Sequence, residues 1–144
     1  MLPLKPDRRP RRKRYLHYFL LGDNRHLVIQ KRTGKDIWEQ MYEFPLLETD
    51  SVRMPSSKLR SDLLGQFGRG QHEAVRVDRQ EQSLTHQHIV CSFYKVSPMV
   101  SRDNKLPAGC RFELLENLEK FAFPKVIRTF LSQFSIKNPT GIST

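Results

Sequence analysis

A chain of 144 residues is the size of one ordinary domain and long enough to bury a core without disulfide or metal staples. Its net charge of +10 is unevenly placed: residues 1–14 hold seven Lys or Arg against Asp7 alone, interleaved with Pro3, Pro6 and Pro10. That composition excludes a packed element there and predicts a solvated connector or an arm lying along a polyanion. No apolar run approaches the roughly 18 residues of a membrane span. The two cysteines, Cys91 and Cys110, form no CxxC pair and follow no secretory leader, so they are expected to be reduced, buried thiols of a cytoplasmic protein.

Residues 15–21, YLHYFLL, are apolar on both faces, and residues 26–31, HLVIQK, follow the turn-forming Gly22-Asp23-Asn24; together they predict a β-hairpin. Residues 32–36 form a polar loop containing Gly34. Ile37, Trp38, Met41, Tyr42 and Phe44 then predict a returning strand that ends at Pro45, with Trp38 as a packing anchor. Pro55-Ser56-Ser57 is a helix start signal, and Leu59, Leu63, Leu64 and Phe67 supply the buried stripe of one amphipathic helix closed by Gly68 and Gly70.

Residues 73–77 read as a short strand and residues 78–82 as a polar lead. In residues 83–96, SLTHQHIVCSFYKV, apolar side chains from Ile89 to Val96 fall on both alternating faces, as a central strand covered on both sides requires. Thr85, His86 and His88 stand at its head, where a rigid strand presents polar groups at the edge of a sheet. Turn formers fill residues 98–109, residues 110–115 are a final strand, and Pro124 opens a helix with Val126, Ile127, Phe130, Leu131 and Phe134 at helical spacing. Residues 137–144 are expected to fray as a tail. The predicted fold is α+β, a mixed sheet flanked by helices in one domain over residues 15–136.

Between Ser51 and His72 the only acid is Asp62. A diphosphate-hydrolysing centre needs several carboxylates to hold magnesium, so no catalytic residue and no metal ligand is expected, and the chain alone is expected not to be an enzyme. His86-x-His88-x-x-Cys91 is a poor zinc set, because alternation places the histidines on one strand face and the cysteine on the other. The plainer reading of His88 is a half-buried strand histidine. Lys31, Arg32 and Lys35 are placed to neutralise phosphates at one end of the sheet, or simply to solvate a loop.

The run KRTGKDIWEQMYEFPLLET over residues 31–49, with LTHQHIVCSFY over residues 84–94, resembles the C-terminal, Nudix-like domain of MutY-type adenine DNA glycosylases. The resemblance spans residues 15–134. It implies a Nudix-like α/β-type sandwich that recognises 8-oxoguanine opposite adenine in double-stranded DNA and acts as a monomer, while a separate N-terminal catalytic domain removes the adenine. That partner domain would carry an iron-sulfur cluster on four cysteines, more than this chain holds, so no cofactor is expected here. The resemblance further implies that residues 1–14 end an interdomain connector, and that Leu84, Thr85 and His86 occupy the family's lesion-sensing loop. Thr85 would offer its hydroxyl to the Hoogsteen edge, where 8-oxoguanine carries an N7 donor and an O8 acceptor. His86 would approach a phosphate or the base edge, and Leu84 stands where the family often has an aromatic. Two alternatives remain open: an active Nudix-type pyrophosphohydrolase, and a protein-interaction module.

Overall fold

The computed structural model describes residues 11–137, as β1 (Arg12–Leu20), β2 (His26–Lys31), β3 (Tyr42–Glu43), β4 (Leu46–Thr49), α1 (Ser57–Leu64), β5 (Glu73–Ser83), β6 (Gln87–Ser97), β7 (Cys110–Leu114), a 3-10 helix (Leu115–Lys120) and α2 (Lys125–Lys137). Residues 1–10 of the predicted connector and residues 138–144 of the predicted tail lie outside the described residues. Arg12, Lys13 and Arg14 belong to β1, so the first strand begins inside the segment expected to be connector.

The strands form two sheets, a four-stranded one in the order β4-β1-β6-β5 and a three-stranded one in the order β3-β2-β7. β1 and β6 are interior and parallel, with Tyr15 beside Val90 and Tyr18 beside Phe93. Their apolar residues on both faces need cover on both sides, and they receive it. On one side Leu16, Tyr18, Ile89, Cys91 and Phe93 pack with Phe44, Ile127 and Phe130; on the other Phe19, Tyr94 and Val96 pack with Leu64 and Phe67. The rings of Phe93 and Phe130 stack with centroids 4.1 Å apart, which docks α2 on the sheet. Burying each such ring contributes about 1.5–3 kcal/mol.

Four expectations are corrected. β1 and β2 are not a paired hairpin: they enter different sheets and meet only where Val28 N donates to Leu21 O at 2.8 Å and at the Gly22–Leu27 bridge. The doubly apolar β1 takes the central place that pairing with β6 offers. The returning strand over residues 37–44 shrinks to Tyr42–Glu43, because Trp38 (φ 59°) and Gln40 (φ 69°) adopt left-handed backbone that breaks a strand; a separate strand, β4, follows Pro45. Trp38 still packs against the core, as an anchor would. β5 runs on to Ser83, through the residues read as a polar lead, since an edge strand with solvated faces has no apolar alternation to reveal it. In α1, Ser56 caps by accepting from Leu59 N at 3.3 Å and Leu64 is buried, as is Phe67 beyond the helix; Leu59, expected in the buried stripe, is exposed, and the helix closes at Gly65 rather than at Gly68 or Gly70.

Candidate functional site

β5 and β6 are joined by a tight turn at one end of the large sheet. Leu84 N donates to Gln87 O at 2.7 Å, closing it. Because β1 runs parallel to β6, its basic beginning reaches the same place: Arg11 Nε donates to Leu84 O at 2.9 Å and Arg12 N to His86 O at 3.2 Å. Thr85 and His86 are exposed on this pinned turn. Leu84 is half-buried and packs against the core cluster, so it does not share their exposure.

His88, the next polar residue, is tied down. Its Nε2 lies 2.7 Å from Glu81 Oε1 and its Nδ1 2.8 Å from Ser83 Oγ. The His88 hydrogen bond holds the Glu81 carboxyl below its usual range. With both ring nitrogens engaged, His88 buttresses the hairpin rather than presenting a free group.

The basic loop after β2 divides in the same way. Arg32 is largely enclosed: Nη1 pairs with Glu43 at 2.8 Å, Nη2 with Asp36 at 2.9 Å, and Nε donates to Ile37 O at 3.1 Å. Its guanidinium shapes the left-handed turn at Trp38 and is not offered to a phosphate. Lys31 is exposed, with Nζ 5.8 Å from the centre of the Tyr42 ring, and Lys35 is exposed. A polar cleft of about 460 Å³ between this loop and Gly109 has Glu43 on its wall, already bonded by Tyr18 OH at 2.9 Å and by Arg32.

The residue that joins the two loops is Arg14, which composition alone assigns to the connector. It is buried, and its guanidinium takes Asp36 at 2.8 and 2.9 Å, Glu48 at 2.8 Å through both Nε and Nη2, and Gln87 Oε1 at 3.0 Å. These charge-assisted bonds raise the Arg14 pKa and hold the Asp36 carboxyl down to about 2. Thus residues 32–41 and 84–87, remote in sequence, are brought to one end of the sheet and locked together. No local signal in a run of seven cations distinguishes the one that is buried.

A second polar network lies on the opposite sheet face, where the buried His17 has Nδ1 2.9 Å from Tyr94 OH and Nε2 2.9 Å from Thr49 Oγ1. Burial lowers the His17 pKa, so the ring is a neutral hydrogen-bonding link. Among the described residues there is no group of three or more His, Cys, Asp or Glu able to hold a metal. The acid on α1, Asp62, is exposed and lies 3.5 Å from Lys58 Nζ, which does not fit a multi-carboxylate magnesium centre. Cys91 and Cys110 carry free thiols, and burial pushes that of Cys91 up to about 12.

The model of the NUDIX domain family matches residues 17–133, and no curated protein matches the chain. Among solved structures, the chain is similar to the C-terminal domain of mouse MUTYH, seen in complex with human PCNA, at 11% identity and a TM-score of 0.70, covering 90% of this chain and 92% of that one. It is similar to the MutT protein from Methanosarcina mazei Go1 at 14% identity and a TM-score of 0.65, covering 90% and 98%. It is also similar to the Nudix hydrolase RenU from M. smegmatis at 10% identity and a TM-score of 0.53, covering 86% and 84%. At these identities the likeness is one of fold, shared by MutT-type, RenU-type and MUTYH-type proteins alike. The expectation that this chain alone is not an enzyme is corrected here, because the family and fold it shares include hydrolases. With its mixed α+β fold and a match over most of its length, the chain belongs to the NUDIX domain family.

Proposed function

We propose that this chain recognises 8-oxoguanine opposite adenine in duplex DNA, as the lesion-reading domain of an adenine DNA glycosylase whose adenine-removing, iron-sulfur-bearing domain acts beside it. The observation that carries this reading is the turn of Thr85 and His86, exposed at the sheet end and held in place by Arg11 Nε on Leu84 O and Arg12 N on His86 O. A threonine hydroxyl both donates and accepts, so it can answer the N7 donor and O8 acceptor of the damaged base. The rigid hairpin beneath it supplies the pre-organisation that a single hydroxyl needs to discriminate. Similarity to the MUTYH C-terminal domain supports the reading.

The test is the affinity of the chain for duplexes containing 8-oxoguanine:adenine and guanine:adenine at one fixed salt concentration. Preference for the lesion, falling by about fivefold in Thr85→Val as loss of roughly 1 kcal/mol of hydrogen bonding requires, supports it. Equal affinity of the parent chain for both duplexes sinks it.

A second reading, hydrolysis of nucleoside diphosphate-linked compounds, is favoured by the likeness to MutT and RenU. Phosphate or pyrophosphate release from oxidised and ordinary nucleoside triphosphates with magnesium decides it. Robust turnover that survives Thr85→Val would establish hydrolysis as an activity independent of the hairpin tip.

A further inference from the structure

β5 is the edge strand of the large sheet, and one inserted residue sets what it displays. Arg76 stands opposite Tyr94 and Asp78 opposite Phe93, leaving Val77 as the extra residue of a β-bulge. Residues three apart on a regular strand point to opposite faces. The bulge cancels that alternation, so Arg76 and Arg79 fall on one face, opposite Tyr94 and Ser92. The same face continues through Glu81 and Ser83 to the hairpin tip, and β1 adds Lys13 opposite His88. Lys13, Arg76 and Arg79 are exposed.

The segment between β4 and α1 crosses this face and holds two arginines by neutral groups. Ser51 O lies 3.1 Å from His17 Nε2, Val52 O accepts from Arg76 Nη1 at 3.4 Å, and Pro55 O accepts from Arg60 Nη1 at 2.6 Å. Among the described residues neither Arg60 nor Arg76 has a carboxylate partner, and Arg79 meets only the exposed Glu81, at 3.4 Å. Burial raises the pKa of the Tyr94 hydroxyl beneath them, and the charges opposing that rise are those of Arg76 and Arg60. Arg14 and Arg32, by contrast, are enclosed in ion pairs and have no free face.

We propose that this face, lined by Lys13, Arg60, Arg76 and Arg79, is a track for the phosphodiester backbone flanking the base read at the Thr85–His86 tip. The proposal rests on the DNA reading above. With Val77 bulged out, Arg76 to Ser83 lies opposite the six steps from Tyr94 to His88, roughly 20 Å at ~3.3 Å per residue, the axial rise of about six nucleotides of one strand at ~3.4 Å each. Cations held by main-chain carbonyls keep their charge available to a regularly spaced polyanion, and they carry no base information. They position the duplex while the tip reads it.

The test measures affinity for lesion and undamaged duplexes across a salt series, with thermal unfolding as the check on folding. In Arg60→Gln/Arg76→Gln/Arg79→Gln, affinity for both duplexes falls together and the slope of log K against log salt shrinks by about 2–3, near 0.9 per lost phosphate contact. Lys31→Gln/Lys35→Gln changes the slope by less, and Arg76→Lys keeps it. An unchanged slope in the folded triple variant overturns the track, as does an equal loss in the lysine pair. If the triple variant unfolds, Arg79→Gln alone, at an exposed position, must lower the slope by about 1. Failure of the lesion reading shows separately, as a parent without lesion preference whose slope still responds to these arginines.

Discussion

Arg14 and Asp36 form a two-point ion pair, Nη1 to Oδ1 at 2.8 Å and Nη2 to Oδ2 at 2.9 Å, and the same Nη1 reaches Gln87 Oε1 at 3.0 Å. One side chain on β1 therefore sets the distance between the loop after β2 and the hairpin tip. Removing it leaves Glu48 without its ion-pair partner and Asp36 with Arg32 alone. Arg14→Met should cost about 2–3 kcal/mol, below the range for fully buried pairs because both acids are partly exposed. Chemical denaturation measures the cost. Amide exchange should quicken at residues 36–40 and 84–87 before the rest of β6, and uniform quickening would show that Arg14 does not couple the two loops.

The two histidines of the hairpin should respond differently to removal. His86 is exposed at the tip, whereas His88 is bonded through both nitrogens to Glu81 and Ser83. His86→Ala is expected to weaken duplex binding by about three- to tenfold with stability kept, the loss of one hydrogen bond. His88→Ala is expected to lower stability by roughly 1 kcal/mol and to affect binding only through a looser tip. Parallel binding and melting curves of the two variants check this, and identical behaviour would contradict the distinction.

Acid should weaken the fold in two windows. The His17 pKa is lowered by burial from 6.5, so the unfolded chain binds the proton more readily. Stability from a neutral His17 is complete above about 6.5 and is lost as pH falls below it. The Asp36 carboxyl is held at about 2 by Arg14, against 3.8 ordinarily, and Glu48 is lowered by the same guanidinium. Their contribution is present above the ordinary carboxylate range and disappears as pH falls towards 2. Urea midpoints between pH 7.5 and 2.5, taken as about half-unit steps, should show both declines. Arg14→Gln should flatten the lower one and leave the upper.

α2 is joined to the large sheet by the stack of Phe130 on Phe93, centroids 4.1 Å apart and planes 4° from parallel. Phe130→Ala should cost about 3–5 kcal/mol through lost burial and the cavity left behind, while Leu59→Ala, at an exposed position on α1, should change stability by less than about 0.5 kcal/mol. Denaturant midpoints at equal m-values are the measurement. A small effect at Phe130 would mean that α2 is held chiefly by its other contacts.

The residues of β6 were legible because both faces from Ile89 to Val96 are apolar, a pattern that only a doubly covered strand satisfies. Thr85 and His86 were legible as an exposed polar head for the converse reason: no apolar partner draws them inward. Leu84 shares their stretch of sequence, yet its aliphatic side chain packs against the core. The second half of β5 carries no strand signal in the sequence, since an edge strand alternates charges with charges and its β-bulge breaks even that period at Val77.

What the chain determines locally is therefore the doubly apolar strands, the capped α1, the docking stripe of α2 and the scarcity of acid on α1. Each rests on side-chain type and spacing within a short window. Tertiary structure alone decides that Arg14 and Arg32 are enclosed in ion pairs while, among the described residues, Arg60 and Arg76 have main-chain carbonyls and no carboxylate as partners, and that Arg14 bridges Asp36 and Gln87. A guanidinium is the same group in every window of sequence; its availability depends on the carboxylates that folding brings to it from elsewhere in the chain.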